Sequence, residues 1–537
     1  MKRIMHSTPP TNTTGLGIKP KLTTAGKCVA LLACAQLLSA CVSNTLDRYA
    51  PPSPNEAWRP AADSPWQGEV PSLKIPAEQR GPSFAIPALP NQLPRLAPVE
   101  PDTRFEQSAP LNLAQLIDIA QRENKETKQA WNRAREAALT VGEVESLWLP
   151  NLSVNVLSGY QRRRTPVTLP LGMGETTVHS NVHGTIPALT LNWLLFDFGL
   201  REAALDGAQY VSLGANILFN ASHQKVIRDV TSHYYSYNAA RARTELARKT
   251  QLNHEAVMQA VQERMDAGVA TRVDLALAQQ ANAQGKLHLV TSEGLERNAY
   301  LALVGSLGLA PTSIVPIAPT PDVTLPAAND PITEQRLQDV LSERADIAAA
   351  YAAVRAAEAA ERVAEAAFRP KVFMAGSLAH TSSRLDVGNL PTLSPQGSST
   401  GVLVGITMPL FDGGLRSSER AKAQVRVEQA QEALQQLRDL AIREVAGAET
   451  VLNTALQSYE AATELVATAT VAYDAAFESY QHGLVSIQLA TMAASQLNIA
   501  LQAQLDARYA ALTAAANLAF VMGDMVAAQD QWLPPTQ

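Results

Sequence analysis

Leu195-Phe196-Asp197-Phe198-Gly199-Leu200-Arg201 returns 215 residues later as Leu410-Phe411-Asp412-Gly413-Gly414-Leu415-Arg416, and that recurrence decides the fold. Gly268 and Thr271 match Gly483 and Ser486, and Gly308 matches Gly523, all at the same offset. Upstream the offset is 220: Leu149-Pro150-Asn151 returns as Arg369-Pro370-Lys371. Glu123, Trp131, Arg135 and Trp148 likewise return as Glu343, Tyr351, Arg355 and Phe368. The offset changes inside one loop, between residues 150 and 195, and then holds register to the terminal glycine. The two halves are structural copies.

Each half runs helix, two strands, very long helix, turn, helix. The first helix covers roughly 112–147 and its copy 333–367, both rich in Ala, Glu, Arg and Gln. Leu152-Ser153-Val154-Asn155-Val156 alternates, as do Val402, Val404, Ile406 and Met408, which predicts strands with one apolar face. Residues 189–193 and 372–378 supply the partner strands, and the Gly-, Pro- and Ser-rich stretches 161–184 and 380–400 read as loops. The long helices start near Leu200 and Leu415, and no proline interrupts Pro187 to Pro311 or Pro409 to Pro534. A helix from 201 to 266 is about 100 Å long at ~1.5 Å per residue, which implies a coiled coil or a helical barrel.

Four tilted strands of about ten residues span a bilayer but cannot close on themselves. Hydrocarbon does not tolerate an open edge, so the barrel must be shared between copies. Two copies give about eight strands, a barrel filled by its own side chains; three give about twelve and leave a lumen. The Ala-rich run from Ala461 to Ala476 lets neighbouring helices approach closely around a hollow tube. The expected fold is mostly α with membrane β: a homotrimer sharing a twelve-stranded β-barrel, four strands per protomer, continued by a long α-helical barrel.

Composition agrees. Apolar residues make up 46% of the 537 and charged residues 18%, enough for a large buried area and too apolar for wholesale disorder. The net charge of -6 and pI near 5.9, with no basic run interleaved with aromatics, argue against a nucleic-acid partner. Beyond the N-terminal region no apolar run is long enough for a spanning helix. Cys28, Cys34 and Cys41 are the only cysteines, so the body holds neither a disulfide framework nor a Cys-based zinc site. Lys19, Lys21 and Lys27 precede a short apolar run that closes as Leu38-Ser39-Ala40-Cys41, the pattern of a secretory signal. From Pro51 to Pro101 there are 13 prolines, which forbids an interior helix or central strand and leaves an extended tether or a disordered stalk. The expected organisation is signal peptide 1–40, Pro-rich segment 41–110, repeat one 111–325 and repeat two 326–537.

No Gly-x-Ser-x-Gly, phosphate loop, His-Glu-x-x-His or dinucleotide fingerprint occurs, and Glu143 and Glu145 belong to a solvated helix face; no enzyme is expected. His179 and His183 have i, i+4 spacing, but with no carboxylate or thiol at ligand spacing they read as exposed loop residues, not a metal site. Arg162, Arg163 and Arg164 close the first strand, where lipopolysaccharide phosphates or plain solvation would both suit them. Trp193, Phe196 and Phe411 fall at the opposite strand ends, where an interfacial aromatic belt belongs.

The duplicated halves, the Leu/Arg-Pro lead into a strand, the Phe-Asp-x-Gly-x-Arg lead into a long helix and the Gly-x-x-Thr/Ser tip occur together and in order over about 111–525. In that combination the chain resembles the TolC family, the outer membrane factors of bacterial efflux and type I secretion. Leu38-Ser39-Ala40-Cys41 resembles the bacterial lipobox, and with the Pro-rich segment it is similar to the lipoprotein branch of that family. The alternative is an ordinary signal with an incidental cysteine. The resemblance implies a lipid (palmitate) on Cys41 and no other cofactor, and Val42 in place of Asp implies sorting to the outer membrane. It further implies a passive duct across the outer membrane and periplasm. Energy and cargo choice would come from an inner-membrane efflux pump joined through a periplasmic adaptor (membrane fusion protein). Drug efflux is favoured over protein secretion, because the lipoprotein branch usually serves efflux pumps. The rival from another class is a non-conducting, periplasm-spanning structural coiled coil, but a tether needs no barrel strands.

Gly268 and Gly483 each permit the left-handed backbone that reverses a helix, and Thr271 and Ser486 are placed to cap the next one. The resemblance implies that Gly268, Thr271, Gly483 and Ser486 also meet the adaptor. It places a periplasmic gate just above them, where Asp274 and Tyr480 match positions that link neighbouring coils by a charge-assisted hydrogen bond. A solvated Asp and a core Tyr are the plain alternative. The chain departs from the archetype at Val485, where an Arg is expected, and at Leu489 and Met492, where acidic rings bind cations. The expected constriction is therefore apolar, closing by packing and dewetting.

Overall fold

The computed structural model describes residues 102–525 except 107, 169–174, 327–336, 338, 339, 343, 388–390 and 524. The signal, Cys41 and the Pro-rich segment lie outside the described residues. Repeat one runs α1 (Leu113–Glu123), α2 (Lys125–Glu145), β1 (Asn151–Thr168), β2 (Glu175–Phe196), α3 (Leu200–Asp266) and α4 (Arg272–Ser306). Repeat two runs α5 (Ala345–Ala366), β3 (Lys371–Val387), β4 (Gln396–Thr407), α6 (Leu415–Gln481) and α7 (Ile487–Met522). The long helices α3 and α6 have 67 residues each. The four strands form one antiparallel sheet in the order β1-β2-β3-β4. The repeat carries one hairpin onto the other without slippage: the pair Asn151–Asn192 becomes Lys371–Thr407 at offsets of 220 and 215.

Two expectations are corrected. The stretches 161–184 and 380–400 are largely strand, with β1 reaching Thr168 and β2 beginning at Glu175. Backbone pairing carries the hairpins past the apolar zone, where polar side chains leave no alternation to read. Arg162 to Arg164 therefore lie within β1, and His179 and His183 within β2, opposite Arg164 and Tyr160. The i, i+4 spacing that would join two histidines on a helix separates them by roughly 13 Å along a strand. The first helix is also two helices. Asn124 has ψ 135, ends α1 and begins α2, and its side chain accepts from the Glu126 N–H at 2.7 Å.

One face of the sheet is apolar, and Val154, Val156, Val402, Val404 and Ile406 are each more than 60% exposed. The other face is polar: Ser153 and Thr190 hydroxyls meet at 2.6 Å, and Asn155 donates to Thr190 at 3.2 Å. A sheet greasy on one side and wet on the other matches a membrane barrel with an aqueous lumen. The strand-to-helix junctions repeat as well. Gly199 and Gly414 start α3 and α6 at φ 95 and 94. Arg201, buried, donates to Asp197 at 2.8 Å and to the carbonyls of Leu147, Leu194 and Leu195, while its guanidinium lies over Trp148 at 5.2 Å. Arg416, Asp412 and Phe368 repeat this arrangement.

The core sits midway along the long helices, where the short ones wrap them. Leu113, Leu116, Val226, Val230, Tyr234 and Leu303 pack together in repeat one, and Val340, Val445, Ala516 and Phe520 in repeat two. Arg344, 1% exposed, ties the second knot. It donates to Asp346, to Glu444 at 2.7 Å and to the Val521 carbonyl. Below this belt small residues meet instead: Ala455, Ala511, Ala514 and Ala515 join α6 to α7 beside Leu452 and Leu456.

Candidate functional site at the helical tips

The helices α3 and α4 reverse at one tip, and α6 and α7 at another. Gly268 and Gly483 have φ 78 and 74. The N–H of Gly268 donates to Met265 and that of Val269 to Arg264, while Gly483 donates to Tyr480 and Leu484 to Ser479. Each glycine thus closes a Schellman turn, in which a left-handed residue lets two amides satisfy orphan carbonyls. The next helices start differently. Thr271 and Asp274 form a reciprocal capping box: the Thr271 hydroxyl accepts from the Asp274 N–H at 3.2 Å, and Asp274 Oδ2 accepts from the Thr271 N–H at 2.8 Å. Ser486 holds the equivalent N-cap position, but its side chain makes no capping bond. The partner position there is Leu489, which has no acceptor to return the bond.

Asp274 accepts a further bond from the Thr271 hydroxyl at 2.7 Å. These bonds, hydroxyl first and then backbone N–H, with Arg264 adding charge, hold its carboxyl below the ordinary range. Tyr480 packs with Val261, Ala278 and Ile487, and the Arg264 guanidinium lies over its ring at 5.2 Å. Arg264 therefore stands between the two gate candidates within one protomer, a role the sequence pattern did not disclose. Its only sequence signal is a cation in the last turn of α3, where a helix C-terminus favours positive charge. Leu489 and Met492 are exposed, one turn apart on α7, and Val269, Val273 and Leu484 add exposed apolar surface at the same end.

Above the tips a cavity of about 260 Å³ opens between α3, α6 and α7, lined among others by Asn253, His254, Val257, Tyr473, Phe477 and Tyr480. Burial pushes His254 below its ordinary pKa and so toward the neutral form. Tyr473 stacks on Phe477 at 5.7 Å, and Thr250 donates to Asn498 at 2.8 Å across the α3–α7 contact. The tips thus combine hydrogen-bonded Gly turns, an exposed apolar collar and a cavity at the joint between the two hairpins. Among the described residues no group of three or more His, Cys, Asp or Glu side chains is placed to hold a metal ion.

Residues 116–309 and 336–524 match the family described as outer membrane efflux protein. The chain is 30% identical to Protein CyaE of Bordetella pertussis over 414 residues, which is 76% of this chain and 84% of that protein. It is 27% identical to Outer membrane protein OprJ of Pseudomonas aeruginosa over 378 residues, 69% of this chain and 75% of OprJ. The fold is similar to that of the Campylobacter jejuni CmeC outer membrane channel, with a TM-score of 0.63 at 18% identity, covering 86% of this chain and 96% of CmeC. With both repeats matched and a relative of that identity spanning most of the chain, the protein belongs to the outer membrane efflux protein family, TolC-like channel formers of the outer membrane.

Proposed function

We propose that the chain is the outer membrane channel of a tripartite export system, a passive homotrimeric duct for drugs or other small molecules. Three sheets share a twelve-stranded barrel in the outer membrane, and the α3–α4 and α6–α7 hairpins continue it into the periplasm. A lipid on Cys41 anchors each protomer to the outer membrane. The observation that carries this reading is the sheet: apolar on one face, polar on the other, with both outer edges open among the described residues. A non-conducting tether would need none of these. At the far end, Gly268, Thr271, Gly483 and Ser486 present the surface for a periplasmic adaptor, itself joined to an inner-membrane pump. Leu489 and Met492 form the constriction, and Asp274 and Tyr480 steady it between neighbouring copies. The joint around Tyr473 and Phe477 gives the α6–α7 hairpin room to move.

Small-molecule efflux rather than protein secretion is the chosen reading, because Leu38-Ser39-Ala40-Cys41 and the Pro-rich segment resemble the lipoprotein branch, which usually serves efflux pumps. Deleting the gene and restoring it on a plasmid tests this. Accumulation of an efflux dye should rise on deletion and fall on complementation. An unchanged dye level together with loss of one secreted protein would replace efflux by type I secretion.

A further inference from the structure

The internal repeat specifies how one copy meets the next. Within the chain, β2 pairs with β3 where repeat one meets repeat two, with Leu191 opposite Gly376 and Trp193 opposite Met374. Moving β2 forward by 215 gives β4, and moving β3 back by 220 gives β1. The same seam then falls between β4 of one copy and β1 of the next. It sets Ile406 against the partner's Val156 and Met408 against the partner's Val154. All four side chains belong to the apolar face and all are exposed in the single chain. Both hairpins already obey this shift without slippage, so the register is defined to the residue.

Applied to the helices, the shift changes the chemistry of the seam. Inside the chain α3 meets α5 through an aliphatic cluster: Leu213, Ile217 and Ala221 against Ala345 and Ala348. The copies of those positions are Glu428, Glu432 and Gln436 on α6, and Lys125 and Lys128 on α2. The three on α6 and Lys125 are exposed, and Lys128 is 39% exposed with only a 3.8 Å contact to Glu123. We infer that the seam between copies, in the register set by the repeat, is closed by Glu428 and Glu432 facing the partner's Lys125 and Lys128. At the corresponding positions inside each copy the seam is closed by aliphatic packing, with the exposed pair of Arg362 and Asp206, 3.1 Å apart, farther along the same two helices. This inference rests on the reading that copies share one barrel. It makes the three seams between copies more salt-sensitive than the three internal ones, because partly exposed ion pairs are screened and the aliphatic contacts that replace them inside each copy are not.

The body of the chain is free of cysteine, so pairs placed there report contact cleanly. In full-length protein in outer membranes, Val156→Cys with Ile406→Cys should give a disulfide-linked ladder of dimer and trimer. Leu152→Cys with Ile406→Cys, four residues out of register, should not. A ladder from the second pair, or from neither, overturns the register. For the charges, Glu428→Lys with Glu432→Lys should lower the trimer fraction in mild detergent severalfold, and adding Lys125→Glu with Lys128→Glu should restore it. An unchanged trimer in the first variant, or no rescue in the second, overturns the ion-pair seam. Helix content followed by circular dichroism separates lost assembly from lost folding. Disulfides form whether or not the barrel conducts, so an in-register ladder without conductance would fault the proposed duct and leave this seam standing.

Discussion

Phe198 holds a left-handed φ of 54, and its copy Gly413 holds 68, so the same turn is built once with a side chain and once without. Glycines at such angles differ in what surrounds them. A Cβ at Gly268 meets nothing within 4 Å, whereas one at Gly308 (φ 79) falls 2.8 Å from the Asn124 Cα. Gly268→Ala should therefore cost only the backbone term, about 1 kcal/mol. Gly308→Ala adds a backbone clash and should destabilise more, an order that thermal denaturation in micelles checks. At the same tip the Asp274 carboxyl is held low by Thr271. A depressed folded pKa means that its contribution is present above the ordinary carboxylate value of about 4 and is lost as pH falls through the lowered one. The protection factors of the first-turn amides of α4, taken against intrinsic exchange at each pH, should fall in acid, and Asp274→Asn should remove that dependence; an unchanged profile would count against the capping box.

The junction from strand to long helix was legible as Phe-Asp-x-Gly-x-Arg, and the structure supplies its cause. Asp197 and Arg201 are buried together, 6% and 5% exposed, and Arg201 gathers three carbonyls. Arg201→Met leaves a buried carboxylate alone and should cost about 3–5 kcal/mol. Arg416→Met, at the more exposed copy, should cost less. Loss of heat-resistant folded protein in detergent measures both. The glycine tips and the long helices were likewise readable, because proline-free runs and turn glycines act locally. The helix break at Asn124 was not, since the helical spacing of apolar residues persists across it. The strand ends escaped for a different reason: beyond the bilayer, pairing depends on backbone hydrogen bonds that leave no side-chain alternation. Arg264 was hidden because its neighbours Asp274 and Tyr480 come from other helices, 10 and 216 positions away.

At the scale of the molecule, both faces and both edges of the sheet argue for closure in a membrane. A charge on the lipid side should then be costly: Val402→Lys, on the apolar face and well inside the aromatic belt, is expected to lose about 2–4 kcal/mol. Asn155→Lys, on the opposite face, should be tolerated, and yield of folded protein in lipid vesicles compares them. In the proposed duct this closed barrel conducts and is gated at its periplasmic tips. Its most direct test is conductance of the purified oligomer in planar bilayers, wild type beside the double variant Asp274→Ala, Tyr480→Phe. The expected result is a small wild-type conductance that rises in the variant. No conductance from either protein, with trimers verified in the membrane, would contradict it and return the chain to the class of structural tethers.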